Sequence, residues 1–500
     1  MKKLIHKGVL IPKKPEWKKL YITVRDKRID LTPEQEEMAV AWVKKLGTDY
    51  VEDPVFARNF LEDFCKVLGV RKDISLEDFD FSPVIKQVER EKAVKLSLTK
   101  EEKKKLAANR KKIREKNKEE YGFALVDGVK VEIGNYNAEP SSIFMGRGKH
   151  PLRGHWKQGP SEKDIILNLS NDAPKPRGNW KKIIWQPESM WIAKWDDRLR
   201  GKEKYIWLAD SSPQKQEKDI EKFDKAIELS KRIEDVRTHI ATNLNAEDVL
   251  RRKTATVCYL IDVLKLRVGD EKDKDEADTV GATTLRPSHI TFGQKNSVTF
   301  DFLGKDAVRW KKTVGLPQQI IGNIKGFVKS AQSSIFEGVG SKNVSLFLDE
   351  IVPGVSSKVF RTYHASHVVA DFLYSSAVSE PDPDYNKKHV ATMANLEAAI
   401  VCNHKRKPPK NWKENLAKKK ERLKNLSAKG TSSSLKRAKV LKYKVEAYRE
   451  TRDYNLGTSL KSYIDPRIYF RWGRKVDFDW KLYYPKALQK KFSWVESKMK

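Results

Sequence analysis

Tyr463 stands in the stretch TSLKSYIDPRIYF, residues 458–470, between a Lys-Ser pair and an Ile-Asp-Pro-Arg turn. A tyrosine in a C-terminal segment is ordinarily a packing residue, but its phenol oxygen can also act as a nucleophile and form a covalent intermediate. The rest of the chain decides between the two. It has no GxxxxGK[ST], so no P-loop cradles a nucleoside triphosphate. The lysine-nucleophile pattern KxDG fails at LVDG, where Leu125 stands in the lysine place, and no HExxH occurs. His364 and His367 are three apart on an expected helix with no acidic or Cys residue close by, and Cys402 with His404 is too sparse a set for zinc. The run DEKDKDEAD (270–278) interleaves lysines with its carboxylates and reads as a solvated face. Phosphate chemistry here would need a protein nucleophile and cationic side chains to stabilise the transition state. No metal and no cofactor is expected.

Cations are abundant. Lys and Arg number 101 against 68 Asp and Glu, a formal net charge of +33. Such a surplus repels itself unless a polyanion neutralises it, and nucleic acid is the partner expected. With 39% hydrophobic residues the chain is not disordered, and 500 residues call for more than one core. The 13 Trp and 16 Tyr suit core packing as well as base stacking. Cys65, Cys258 and Cys402 are far apart and form no disulfide framework, which fits a reducing interior. The basic start MKKLIHKGVLIPKKPEW has too short an apolar run for a signal peptide, and no apolar stretch approaches the ~20 residues of a membrane span. A soluble, intracellular protein is expected.

Several elements would position these groups. Thr32-Pro33-Glu34-Gln35 is a capping box with Pro in the first turn, and Thr99-Lys-Glu-Glu102 is a second one. Residues 33 to about 102 read as several short helices. The helix opened at Thr99, reaching about Glu120, has few apolar residues, so it is solvent-exposed or faces a polyanion. From Gly122 to about Leu208, short β-prone runs (KVEIGNY, DIILNL, KKIIWQ, KYIWLA) alternate with Gly-, Pro- and Trp-rich loops. Helical periodicity returns at about 214–237 and 247–267. β-prone runs follow at 289–303, then helices to about 403. Between 411 and 450, Trp412, Leu416, Leu423 and Leu426 form one thin apolar seam, and Leu435, Val440 or Leu441, Val445 and Tyr448 a second. The turn GTSSS at 430–434 separates them, giving an antiparallel helical hairpin that is basic outside.

Taken in order, KLRVGDEKD, ADTVGATTLRPSHI, FDFLGKDAVRW, KVFRTYHAS, AAIVCNHKRKPPK and LGTSLKSYIDPRI closely resemble the successive motifs of eukaryotic-type type IB DNA topoisomerases. HKGVLIP, GNYNAEPSSIFMGRGKHP and WLADSSPQKQEKD extend the resemblance to nearly the whole chain. By position it implies that Arg267 (KLRVG) and Arg361 (KVFRTY) are catalytic arginines, Lys305 (FLGKD) the catalytic lysine, His404 (CNHKR) the catalytic histidine and Tyr463 (KSYIDPR) the nucleophile. Arg147 (MGRGKH) and Asp306, beside Lys305, match positions near the cleavage site. Lys358, Thr458 and Ser462 are expected at the DNA as well. The resemblance implies a 3′-phosphotyrosyl intermediate, strand rotation and religation without ATP. The related tyrosine recombinases share this chemistry but typically carry His three residues before the second arginine, where Lys358 stands here.

The resemblance further implies an α+β multidomain clamp around supercoiled duplex DNA, acting as a monomer with no membrane partner. Residues 1–212 would form a mixed α/β cap of two intertwined subdomains. Residues 213–410 would form a mainly helical, tyrosine-recombinase-like catalytic domain with a small sheet. Residues 411–449 would be the helical-hairpin linker, and 450–500 would carry the tyrosine. The chain would act on chromosomal DNA, in a nucleus or a nucleoid. No long basic tail is expected before HKGVLIP; Met145 stands where relatives commonly have Arg, and Ser462 stands where Asn is common. Low sensitivity to planar drugs that stack in the nick is the expectation.

Overall fold

The computed structural model describes residues 1–70, 73–269, 279–305 and 308–499. The chain divides into two compact units, with the boundary between Ser212 and Pro213.

The first unit has two cores. In one, β1 (Leu4–His6), β5 (Phe123–Val126) and β6 (Val129–Glu132) form an antiparallel sheet. The LVDG segment is its hairpin turn: Asp127 and Gly128 both have positive φ, 51° and 84°, as a tight turn between twisted strands requires. The Asp127 carboxylate accepts from the N–H groups of Lys2 and Lys3 at 2.7 and 2.6 Å, tying the N-terminal strand to the turn. A four-stranded sheet, in the order β10 (Lys182–Ile184), β9 (Ile166–Asn168), β11 (Trp191–Asp197), β12 (Lys202–Trp207), shares the same apolar cluster around Leu4, Val126, Leu167 and Ile192. In the second core, α1 (Pro33–Val43), α2 (Pro54–Leu68) and α3 (Ser82–Ser97) pack on β2 (Tyr21–Val24), β3 (Lys27–Asp30) and β4 (Phe79–Asp80). A run of rings fills it, with Trp42 stacked on Phe60 at 4.4 Å and Phe60 on Phe64 at 5.4 Å. The strands β7 (Ser142–Ile143) and β8 (Trp156–Lys157) pair beside it. Helix α4 (Lys100–Tyr121) buries none of its residues. Both boxes read from the sequence are made: Thr32 with Gln35 at the head of α1, and Thr99 with Glu102 at the head of α4.

The second unit begins with α5 (Pro213–Lys231), α6 (Ile233–Asn243) and α7 (Val249–Leu264). The single helix expected over 214–237 is broken at Arg232, whose φ of −116° departs from helical geometry. Its guanidinium turns to Asp235 and to the Ile351 carbonyl. A three-stranded antiparallel sheet comes next, β13 (Ile290–Phe292), β14 (Ser297–Gly304) and β15 (Val308–Gly315). The sequence reading ended the β-prone run at 303, so β15 corrects it. Its run VRWKKTVG is rich in cations, and pairing with β14 rather than burial holds it: Arg309 forks onto Asp301 at 2.8 and 2.6 Å. Then come α8 (Gln318–Ser330), α9 (Ser341–Asp349), α10 (Ser357–Ser375), α11 (Asp384–Val401), α12 (Trp412–Ala428), α13 (Ser432–Glu450), α14 (Leu456–Ser462), α15 (Pro466–Lys475), α16 (Lys486–Lys491) and α17 (Trp494–Lys498).

One core of this unit joins α6 to α9, the sheet and the start of α10. The other joins the rest of α10 to α11 and α14–α17. Helix α10 belongs to both and links them. Among the described residues, no helix is long and apolar enough to cross a membrane.

Candidate active site

Helix α7 starts at Asp248, whose carboxylate accepts from the N–H groups of Leu250 and Arg251 at 3.0 and 3.2 Å. It ends at Lys265 in the left-handed region, φ 58°, and the chain turns sharply into Arg267. The motifs KLRVG and TVGATT each contribute one glycine to a close backbone crossing beside this turn. A Cβ on Gly281 would lie 2.4 Å from the Cα of Gly269, so only glycine lets these backbones meet. The approach allows Ala282 N–H to donate to the Arg267 carbonyl at 2.8 Å and Thr283 N–H to the Val268 carbonyl at 2.7 Å. The carbonyls of Arg267 and Val268 are thereby fixed by the 282–283 backbone.

Arg361, on the first turns of α10, is 6% exposed. Its Nη1 donates to the Lys265 carbonyl at 2.5 Å and its Nη2 to the Cys402 carbonyl at 2.7 Å, joining the ends of α7 and α11. Its Nε is buried with no hydrogen-bond partner. One turn along α10, His364 Nε2 meets Asp262 of α7 at 2.8 Å, and Arg237 of α6 donates to the same carboxylate at 2.9 Å. The sequence reading gave His364 no acidic partner. The fold supplies one from 102 residues away, and it fixes α10 against α7. These contacts hold the Asp262 carboxyl down at about 2 despite its burial.

Helix α11 delivers His404. Asn403 takes φ 52°, which reverses the chain, and His404 N–H donates to the Ala399 carbonyl at 2.8 Å. The ring is 7% exposed; its Nδ1 lies 2.7 Å from Ser459 Oγ and its Nε2 lies 3.4 Å from Arg361 Nη2. Helix α14 carries Ser459, and Tyr463 is its C-terminal cap. Ser366, from α10, donates its hydroxyl to the Tyr463 carbonyl at 3.2 Å and accepts from the Asp465 N–H at 3.0 Å, bracketing the tyrosine on both sides. The Tyr463 ring lies 5.2 Å from the His404 ring and 5.2 Å from the Arg361 guanidinium carbon.

Arg361 and His404 border a cleft lined also by Lys265, Arg267, Lys305 and Lys405, with Asn455 and Thr458 among the other residues of its wall. No carboxylate is among the described residues lining it. Burial draws the Arg267 guanidinium below its ordinary range, and Arg361 adds to this, while a hydrogen bond to the Tyr463 phenol works the other way. A guanidinium keeps its proton through such shifts. Burial first, then Arg361 and Arg267, pushes the His404 imidazole down to about 3, so it is neutral at pH 7. A neutral imidazole among guanidinium groups can donate a hydrogen bond without adding to their repulsion.

Arg267, Arg361, His404 and Tyr463 are thus brought together. Lys305 reaches the same cleft from the end of β14, and Thr458 reaches it from α14. Ser462 is the last residue of α14, directly before Tyr463. Lys358 is exposed on α10, one turn before Arg361. Arg147 is exposed in the first unit, between Gly146 and Gly148 at φ 55° and 58°. Asp306 and the acidic run 270–278 lie outside the described residues. Sequence reasoning missed Ser366, Ser459, Lys265 and Lys405. Ser366 and Ser459 were inside quoted motifs, but nothing in their spacing shows which main-chain or ring atoms their hydroxyls meet.

The model for the DNA-binding fragment of eukaryotic DNA topoisomerase I matches residues 1–208, that for its catalytic core residues 211–437, and that for a C-terminal topoisomerase domain residues 435–500. The chain is 34% identical to DNA topoisomerase 1 beta of Arabidopsis thaliana, over 99% of its own length and 58% of that protein. With DNA topoisomerase 1 of Drosophila melanogaster it shares 32% identity over 98% of its length and 54% of the relative. With the Homo sapiens protein of that name it shares 32% over 98% and 70%. The chain therefore spans a little over half the length of the plant and fly relatives. On these matches, which between them run from residue 1 to residue 500, the chain belongs to the eukaryotic DNA topoisomerase I family.

Proposed function

We propose that the chain is a type IB DNA topoisomerase, relaxing positive and negative supercoils by cutting and resealing one strand at a time. Tyr463 attacks a phosphodiester, a 3′-phosphotyrosyl bond forms, and the 5′-oxygen leaves. The cut strand rotates about the intact one, and the 5′-hydroxyl then reverses the attack. The observation that carries this reading is a phenol set against two guanidinium groups and a neutral imidazole, beside a cleft whose described lining has no carboxylate.

A phenol titrates near 10 and is a weak nucleophile at neutral pH. Cations close to its oxygen favour the phenolate as it forms. The transition state is a five-coordinate phosphorane with extra charge on its non-bridging oxygens. Arg267 and Arg361 offer planar donor forks to those oxygens. The unpartnered N–H of Arg361 is a donor already desolvated and awaiting an acceptor. His404 adds a neutral donor. The leaving 5′-alkoxide is strongly basic, and Lys305 is the general acid that protonates it. The phosphotyrosyl bond conserves the phosphodiester energy, so resealing requires no ATP, and the side-chain cations do the work a metal would otherwise do.

The family match over 1–208 and the surplus of 33 positive charges support a partner that is duplex DNA, held mostly through phosphates. In this proposal residues 1–212 form a cap and residues 213–410 a recombinase-like catalytic domain. The hairpin 411–449 is a linker and 450–500 presents Tyr463. A single copy closes around the duplex at chromosomal DNA, with Arg147, Lys358, Thr458, Ser462 and Asp306 near the cleavage point. Stopping the reaction with detergent and digesting the DNA tests the chemistry. A phosphonucleotide on the Tyr463 peptide, joined through the DNA 3′ end, is the expected product. An adduct on another tyrosine, or on the 5′ end, overturns the assignment.

A further inference from the structure

The contact between Arg361 and His404 has two possible proton arrangements. A guanidinium can only donate, and its Nη2 already gives one N–H to the Cys402 carbonyl at 2.7 Å. The 3.4 Å from Nη2 to His404 Nε2 is at the long edge of hydrogen bonding, whereas the 2.7 Å from Nδ1 to Ser459 Oγ is short. In one arrangement Nε2 is a bare lone pair that receives only a long contact from the guanidinium. In the other, Nδ1 is the acceptor and Nε2 carries the hydrogen, so that two donors converge and wait for an acceptor to enter.

We infer that Ser459 is a positioning residue whose hydroxyl donates to His404 Nδ1 and holds the ring as the Nε2–H tautomer, so that Nε2–H and Arg361 Nη2–H share one phosphoryl oxygen. Ser459 is fully buried, so its hydroxyl has no water to turn to. His404 is neutral and has a single N–H, so the hydroxyl decides whether that hydrogen can reach the cleft. The same residue also holds the nucleophile. The Ser459 carbonyl accepts from the N–H groups of Tyr463 and Ile464 at 2.9 and 3.1 Å. One residue therefore ties the histidine donor and the tyrosine backbone together. This inference rests on the phosphoryl-transfer reading of the site.

The test uses the full chain labelled with ¹⁵N-histidine, the His404 signals being identified by their loss in His404→Gln. The expected spectrum of the free protein at pH 7 has hydrogen on Nε2 and a lone pair on Nδ1, and Ser459→Ala abolishes this single tautomer. The single-turnover DNA cleavage rate is expected to fall roughly tenfold in Ser459→Ala, the loss of one buried hydrogen bond, with DNA affinity unchanged. In a His404→Ala background the same substitution changes nothing. Hydrogen on Nδ1 in the parent protein overturns the inference. So does an unchanged tautomer in Ser459→Ala, or an equal rate loss in both backgrounds. The tautomer is read without DNA, so a protein that shows it but never cleaves DNA sinks the topoisomerase reading and not the Ser459–His404 geometry.

Discussion

Arg361 holds two helix ends with one side chain, and in the proposed reaction the same side chain binds the phosphate; the two tasks can be separated. Its Nη groups hold the ends of α7 and α11 through the Lys265 and Cys402 carbonyls, while its Nε remains unpartnered. Arg361→Lys keeps the charge but cannot span both carbonyls and a phosphate together. Cleavage is expected to fall at least about a hundredfold, as on loss of an oxyanion donor, with duplex binding nearly unchanged. Equal cleavage rates in parent and variant would show that charge alone suffices. His404 makes a second prediction. Its pKa is about 3 in the fold and about 6.5 in an unfolded chain, so the unfolded state binds the extra proton between those values. The folded state therefore loses stability as pH falls below about 6.5. From pH 7 to pH 5 this one group should cost about 2 kcal/mol, and urea unfolding of His404→Gln should be spared that part of the loss. Identical acid sensitivity in the two proteins would mean that the ring is not neutral by burial. The residue types of the site were legible in the sequence, because its motifs are contiguous words. The serine contacts were not, since a hydroxyl shows its partner only after two distant segments meet.

At the scale of elements, capping made helix starts readable: Thr32 with Gln35 and Thr99 with Glu102 form reciprocal hydrogen bonds within three residues. Strand β15 was not readable. It is held through Asp301 on β14 and its ladder, a long-range pairing that its own composition does not announce. The break at Arg232 was hidden for the same reason, because its partner Ile351 is 119 residues away. The Gly269–Gly281 contact shows how two segments set the backbone of Arg267, the residue proposed to bind the phosphate. Gly281→Ala places a methyl 2.4 Å from Gly269 Cα and 2.7 Å from the Arg267 carbonyl oxygen. Neither atom can move without disturbing Arg267. Overpacking of this kind typically costs about 1–3 kcal/mol. The variant is expected to bind DNA and yet cleave at least about tenfold more slowly, because a small displacement of a positioned group is costly in rate. Thermal unfolding with single-turnover cleavage checks both, and an unperturbed rate would free Arg267 from this contact.

For the whole molecule, the excess of positive charge predicts binding that weakens steeply with salt. The hairpin α12–α13 carries part of that charge and meets the rest of its unit at α11, where Tyr443 packs on Tyr385 and His389 at 5.6 and 4.8 Å. Its two ends meet at the stacked rings of Trp412 and Tyr448, 5.8 Å apart, so residues 413–447 can be excised and the ends rejoined. The excised protein is expected to relax plasmid more distributively at moderate salt, with cleavage chemistry intact. Unchanged processivity across a salt series would argue against a DNA contact there. The proposed function is checked by relaxation of positively and negatively supercoiled plasmid without ATP and in EDTA, comparing the parent chain with Tyr463→Phe. The parent is expected to relax both signs, and the variant neither while still binding DNA, with protein left on a 3′ end by the parent alone. Relaxation by both proteins, or by neither, would overturn the proposed function.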